Sequence, residues 1–183
     1  SGLKASAIVQ DLLTVARGVA VDKEPLNLNV IIDDYLRSPD FENIRHHHSE
    51  VEVVCDLEEG LANIMGSQVH IRKILMNLVS NGCEAIEGSG EVRITTANRV
   101  VEQVPKNIFF PGEEMYVDLI VADQGKGISA LDLEKIFEPF YSKKVMGRSG
   151  TGLGLTVVWN VVEDHDGFID VESTDKGTVF TVT

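Results

Sequence analysis

"NLVSNGCEAI", Asn77 to Ile86, closes a run beginning at Gln68 whose apolar residues recur at helical spacing. Ile74, Leu75, Leu78 and Val79 make one face, and Asn77, Asn81 and Glu84, at i, i+4 and i+7, share the opposing one. The pattern predicts a long helix that starts at Gly66-Ser67 and ends at Gly88. A solvated polar face is the plain explanation of such a stretch. Asparagine, however, is a poor helix former, and two of them one turn apart cost stability that a ligand could offset. Their amide oxygens are hard donors that suit Mg²⁺, which needs few protein oxygens when substrate phosphates complete its octahedron.

Strands are expected on the far side of this helix at "EVRITTA" (91–97) and "MYVDLIVAD" (115–123), joined by a polar hairpin connection containing Pro105 and Pro111. After "DQGKGIS" comes a short helix to about Ile136, then "FEPFYSKKVMGRSGTG" without periodicity, then a helix from Leu153 to about Asp166. "FIDVES" and "TVFTVT" meet through "TDKG" as a closing hairpin. On the near side, residues 5–22 have a wide apolar face, with Ile8, Leu12, Val15 and Val19 on one stripe. Pro25 ends that helix. Asn27 or Asn29 caps a second over "VIIDDYLRS", before Pro39, and "VEVVC" has strand composition. The order α, β, α, β, β, α, α, β, β predicts an α/β (α+β) two-layer sandwich: a mixed, mostly antiparallel sheet packed against helices.

Composition narrows the class. The 183 residues, 43% of them apolar and 25% charged, suit one globular unit. A formal charge of −13 argues against binding to nucleic acid or to an anionic membrane surface, since both need a basic face. Cys55 and Cys83 have no metal-ligand spacing and read as buried thiols in a reducing, cytoplasmic setting. No apolar run reaches the roughly 18 residues of a membrane helix.

"VADQGKGI" puts Asp123 at the end of an apolar strand, followed by Gly125 and Gly127. Ala130 stands where a dinucleotide fingerprint would need its third glycine. A capped turn would explain the stretch. A carboxylate held there could also accept the exocyclic amine of a purine while the glycines admit the flat base. "GRSGTGLGLT" (147–156) contains no GxxxxGK[ST], and the HRD and DFG signatures are missing from the chain. It is a glycine-rich approach to a helix N-terminus, whose free N–H groups and dipole favour an anion. Lys143, Lys144 and Arg148, three of sixteen basic residues within six positions, flank it and read as a lid that closes on phosphates.

In this order the motifs resemble the ATP-binding catalytic domain of sensor histidine kinases, within the superfamily that includes gyrase, Hsp90 and MutL ATPase domains. "NLVSNGCEAI" matches the N box, "DQGKGI" the G1 box, "IFEPFYSKK" the F box and "GTGLGL" the G2 box. The resemblance implies that Asp123 hydrogen-bonds the adenine amine, that Asn81 ligates Mg²⁺ and that Asn77 supports metal and phosphate. It implies a base pocket lined by Gly125, Gly127 and Ile128, with Glu84 on the same helix face. Lys143 or Lys144, Arg148 and the segment Gly150, Thr151, Gly152, Leu153 and Gly154 would hold the triphosphate, and Phe137 and Phe140 would anchor the lid's hinge. Glu84 departs from the pattern, standing where many relatives have lysine, and "DKGT" replaces the usual glycine-rich closing turn.

Hydrolysing branches of the superfamily carry at position 77 a glutamate that activates water. Asn77 therefore implies transfer to a positioned nucleophile. That acceptor, in the family, is a histidine on a dimerisation hairpin. Residues 1–25 resemble the lower part of its second helix and residues 26–183 the catalytic domain, so the acceptor is expected upstream of Ser1. His46, His47 and His48 read as a solvated loop, His70 lies early in the N-box helix, and His165 matches a structural position. The implied partners are that dimerisation domain, a second copy of the full-length protein and a response regulator. The rival readings are an ATPase of the gyrase or Hsp90 kind, a nucleotide-binding regulatory module and an anti-sigma-type serine kinase.

Overall fold

The computed structural model describes residues 22–102, 113–142 and 152–183. The helices are α1 (Leu28–Leu36), α2 (Pro39–His47), α3 (Gln68–Ala85), α4 (Ala130–Leu133) and α5 (Gly154–Asp164). The strands are β1 (Glu24–Leu26), β2 (Val51–Leu57), β3 (Ile64–Gly66), β4 (Gly90–Glu102), β5 (Glu113–Asp123), β6 (Ile169–Thr174) and β7 (Gly177–Val182). Five strands form one sheet in the order β2-β4-β5-β7-β6, antiparallel except for the parallel β2–β4 pair. β1 and β3 make a separate antiparallel ribbon. The expected mixed, mostly antiparallel sheet with helices packed on it is the fold observed.

One core joins the two layers. Val92 and Ile94 of β4, Leu119 and Val121 of β5 and Phe180 of β7 are buried together with Ile74, Leu75, Leu78 and Val79 of α3. Val157, Val158, Val161 and Val162 bring α5 into the same core. The apolar face read from the helical spacing is therefore the face that meets the sheet. Each such side chain contributes about 1.5–3 kcal/mol by leaving water. The opposite face, with its two asparagines, is left half-buried.

Four expectations need correction. Pro39 follows α1 as expected, but it also begins α2, a helix that was not foreseen and that Ser38 caps by accepting from the Phe41 N–H at 3.3 Å. The three histidines accordingly lie at a helix C-terminus and not in a loop. The His47 imidazole folds back 2.7 Å from the Asn43 carbonyl. Cys55 is exposed on edge strand β2, whereas Cys83 is buried as expected. The β1–β3 ribbon was not foreseen, and its β1 strand straddles position 25–26.

His165 ties the helical layer together. It ends α5, and its Nδ1 lies 2.7 Å from the Val161 carbonyl while the Ser67 N–H donates to its Nε2 at 3.0 Å. A carbonyl only accepts, so Nδ1 carries the proton and Nε2 is the acceptor. The ring thus holds the start of α3 to the end of α5. His165→Leu leaves the Ser67 N–H without its acceptor. It is expected to lower unfolding free energy by about 1–3 kcal/mol in urea titrations at neutral pH.

Candidate active site

Helix α3 is the spine of the site. Near its middle, the Asn77 Nδ2 donates to the Lys73 carbonyl at 2.9 Å, which fixes the amide and turns Oδ1 outward against the first turn of α5. A methyl group at Gly154 would lie 2.7 Å from that oxygen, so glycine is what allows the two helices to approach there. One turn on, Asn81 is half-buried and has no hydrogen-bond partner among the described residues. Its hard carboxamide oxygen fits a divalent cation. Glu84 accepts from the Ser80 hydroxyl at 3.2 Å.

At the far end of α3 the chain meets Asp123. Gly82, inside the helix, packs closely on the sheet: a methyl there would stand 3.1 Å from Val92 and 3.3 Å from the Asp123 Cβ, tight enough that these neighbours would have to give. The Asp123 Oδ1 accepts from the Gly125 N–H at 2.8 Å. Burial pushes its pKa above the usual carboxylate range, opposed by backbone hydrogen bonds from Gly125 and Thr178. Lys126 N–H donates to the Ala85 carbonyl at 3.2 Å and Ile128 N–H to the Ser173 Oγ at 2.8 Å, so the turn is fastened to α3 on one side and β6 on the other. Gly127 makes this possible with φ +69°.

The helix α5 differs from its fellows at the N-terminus. Asn27, Ser38, Ser67 and Ser129 cap α1 to α4 through their side chains, while α5, at Leu153, has no side-chain cap. Its first turn lies beside the Asn77 oxygen without a side-chain cap. Leu153 itself is buried. Gly152, at φ +71°, accepts the Phe140 N–H at 2.9 Å, and the Thr156 hydroxyl donates to the Phe137 carbonyl at 3.0 Å. Phe137 packs on Trp159 with ring centroids 5.0 Å apart. Phe140 departs from expectation: its ring is 66% exposed, and it is its backbone that is anchored. Lys143, Lys144, Arg148, Gly150 and Thr151 lie outside the described residues.

Gly154 thus meets Asn77 and the Gly125–Lys126 turn meets the end of α3, and a family model of "Histidine kinase-, DNA gyrase B-, and HSP90-like ATPase" matches residues 66–183, well over half of the chain. The chain belongs to this ATPase family. Among curated relatives, the sensor histidine kinase ZraS of Salmonella typhimurium is 31% identical over 178 residues, which are 96% of this chain and 34% of ZraS. The chain spans about a third of the length of that relative. Among solved structures, the catalytic domain of histidine kinase ThkA is 27% identical with a TM-score of 0.67, covering 88% of this chain and 94% of that one. ThkA in complex with the response regulator TrrA is matched at 24% identity and TM-score 0.70, covering 98% and 46%. Full-length ShkA with AMPPNP is matched at 21% identity and TM-score 0.72, covering 96% and 34%. These last two share the fold.

Sequence reasoning missed several members of this ATPase-family site. Ser173 supports Ile128, Thr156 holds Phe137, and Gly82 admits Asp123. Only Gly82 left a signal: a glycine within a helix costs about 1 kcal/mol and therefore points to a close approach.

Proposed function

We propose that the chain binds Mg²⁺-ATP and transfers its γ-phosphoryl group to a histidine on the dimerisation domain of the same sensor kinase, for relay to a response regulator. Asp123 accepts the adenine amine, and Gly125, Gly127 and Ile128 line the base pocket. Asn81 ligates the cation, and Asn77 orients it and the phosphates. Lys143 or Lys144, Arg148 and the stretch Gly150–Gly154 hold the triphosphate. Mg²⁺, when bound, neutralises charge on the transferring phosphates. The rise of α3 from Asn77 to Gly82–Ala85 is about 8–12 Å. That span sets the purine at one end of the helix and the phosphates at the other. In this reading residues 1–25 belong to the dimerisation hairpin, residues 26–183 form the catalytic domain, and the full-length protein is a cytoplasmic-facing homodimer. Among the described residues no helix is long and apolar enough to cross a membrane.

The observation that carries the reading is the carboxamide of Asn77 against the uncapped start of α5. An amide cannot take a proton from water, so the chain positions the phosphate without supplying a base for hydrolysis. Among the chain's own histidines, the His165 nitrogens are both engaged and the His70 Nδ1 is buried. With Mg²⁺ and γ-labelled ATP, the chain is expected to label an added acceptor hairpin in a base-stable, acid-labile form and not to label itself. Rapid steady-state phosphate release without any acceptor would instead make it an ATPase. Binding without transfer to the hairpin would make it a regulatory module.

A further inference from the structure

The sheet order β2-β4-β5-β7-β6 leaves β2 at an edge. Its pairing with β4 decides which of its backbone groups are used. The Gly90 N–H donates to the Glu50 carbonyl at 3.4 Å, and bonding in a parallel ladder alternates along the strand, so Glu52, Val54 and Asp56 turn their N–H and C=O toward β4. Val53, Cys55 and Leu57 turn theirs outward, where no strand meets them among the described residues. Natural sheets blunt such an edge with proline, lysine, a bulge or a very short strand. β2, "VEVVCDL", has seven residues with neither proline nor lysine, and its register with β4 runs unbroken from Val51 to Leu57. The opposite edge differs. At β6 the Ile128 N–H donates to Ser173, and a methyl at Gly127 would stand 1.7 Å from the Thr174 carbonyl oxygen, so the turn after β5 covers that strand's end.

Beside the free edge, between β2 and α2, lies a cleft of about 690 Å³. Leu36, Phe41, Val51 and Val53 give it apolar walls. Its described lining holds one permanent cation, Arg45, which is already paired with Glu42 at 3.1 Å. Glu50 and Glu52 line it as exposed carboxylates with no cationic partner among the described residues, and Asp56 is exposed on the same face of the strand as Glu52. A second copy pairing through β2 would set these carboxylates against one another, which like charge disfavours. We propose that β2 and its cleft form a docking edge for an extended segment of a partner protein in which apolar residues alternate with lysine or arginine. The segment adds a strand beside β2, its apolar side chains enter the cleft on one face, and its cations meet Glu52 and Asp56 on the other.

Fluorescence anisotropy of a labelled, end-capped peptide of alternating valine and lysine, as long as β2 and titrated with the whole chain, tests it. Saturable binding is expected, and a valine–glutamate peptide of the same length should bind at least about tenfold more weakly. Glu52→Lys should cost the lysine peptide about five- to tenfold and improve the glutamate peptide. Asp170→Lys changes the net charge equally but lies on β6, so it should leave the affinity within about twofold. Both positions are exposed, and neither change should disturb the fold. Only one edge of an added strand faces β2, so N-methylation at the valines or at the lysines should abolish binding while the other set is tolerated. No binding, equal affinity for the two peptides, an equal loss with Asp170→Lys or equal sensitivity to the two methylations would each overturn the assignment. Self-association of the unaltered chain that the lysine peptide disrupts would make a second copy the occupant and overturn it too.

Discussion

Gly127→Ala is expected to destabilise the protein by roughly 2–5 kcal/mol and to abolish nucleotide binding with it. Two costs add. The left-handed backbone, φ +69°, charges any L-residue about 1–2 kcal/mol. The added methyl would stand 1.7 Å from the Thr174 carbonyl oxygen, which terminates β6, so the closing hairpin must move; forced displacements of packed backbone cost about 1–3 kcal/mol. That movement would reach Ser173, whose hydroxyl anchors Ile128 and meets the Thr178 hydroxyl at 2.9 Å. Gly60→Ala isolates the first cost: its φ is +76° and nothing lies within 4 Å of the added carbon. Urea titration of both variants should therefore give a small loss at position 60 and a large one at position 127. Equal losses would mean that the contact with Thr174 is relieved without consequence.

The α3 helix was legible because two independent signals agree on it. Apolar spacing sets which face is buried, and Ser67 sets the start, where it accepts from the His70 N–H. The glycine motifs were legible for a similar reason: Gly127 and Gly152 have positive φ, and Gly125 packs against the Ala85 backbone, where an added methyl would stand 2.7 Å from its carbonyl oxygen. What escaped lacked any local signal. β1 and β3 have three residues each, too few for alternation to register, and their pairing spans some forty residues. The parallel pairing of β2 with β4 needs the α3 crossover, and nothing within "VEVVC" distinguishes it from a hairpin strand. Pro39 was ambiguous between ending one helix and starting the next, and only the Ser38 cap decides it. Asp132 and Tyr141 find each other across a turn, which neither helical nor strand periodicity can announce.

Asp123→Asn is expected to separate binding from folding. The carboxylate sits at the end of β5, with Thr178 of β7 as its cross-strand partner, and its burial raises its pKa. An acid whose pKa is higher in the folded than in the unfolded state opposes folding where it is ionised, above that pKa; the penalty is relieved as pH falls through it. Asparagine stays neutral and keeps an oxygen for the Gly125 N–H. The variant should therefore match or exceed the wild type in stability at neutral pH, and the difference should shrink toward acid pH in urea titrations at a series of pH values. Binding should go the other way. The adenine amine would lose an ionised acceptor and face a carboxamide that also presents donors, so ATP affinity should fall by about 100-fold, the cost of one unmet hydrogen bond to a charged group. Wild-type affinity should itself decline as Asp123 takes up its proton, over a window above the usual carboxylate range, and Asp123→Asn supplies the reference that removes the titration of ATP itself. A variant that bound ATP as tightly as the wild type would move the adenine away from β5 and leave Asp123 as a turn cap for Gly125.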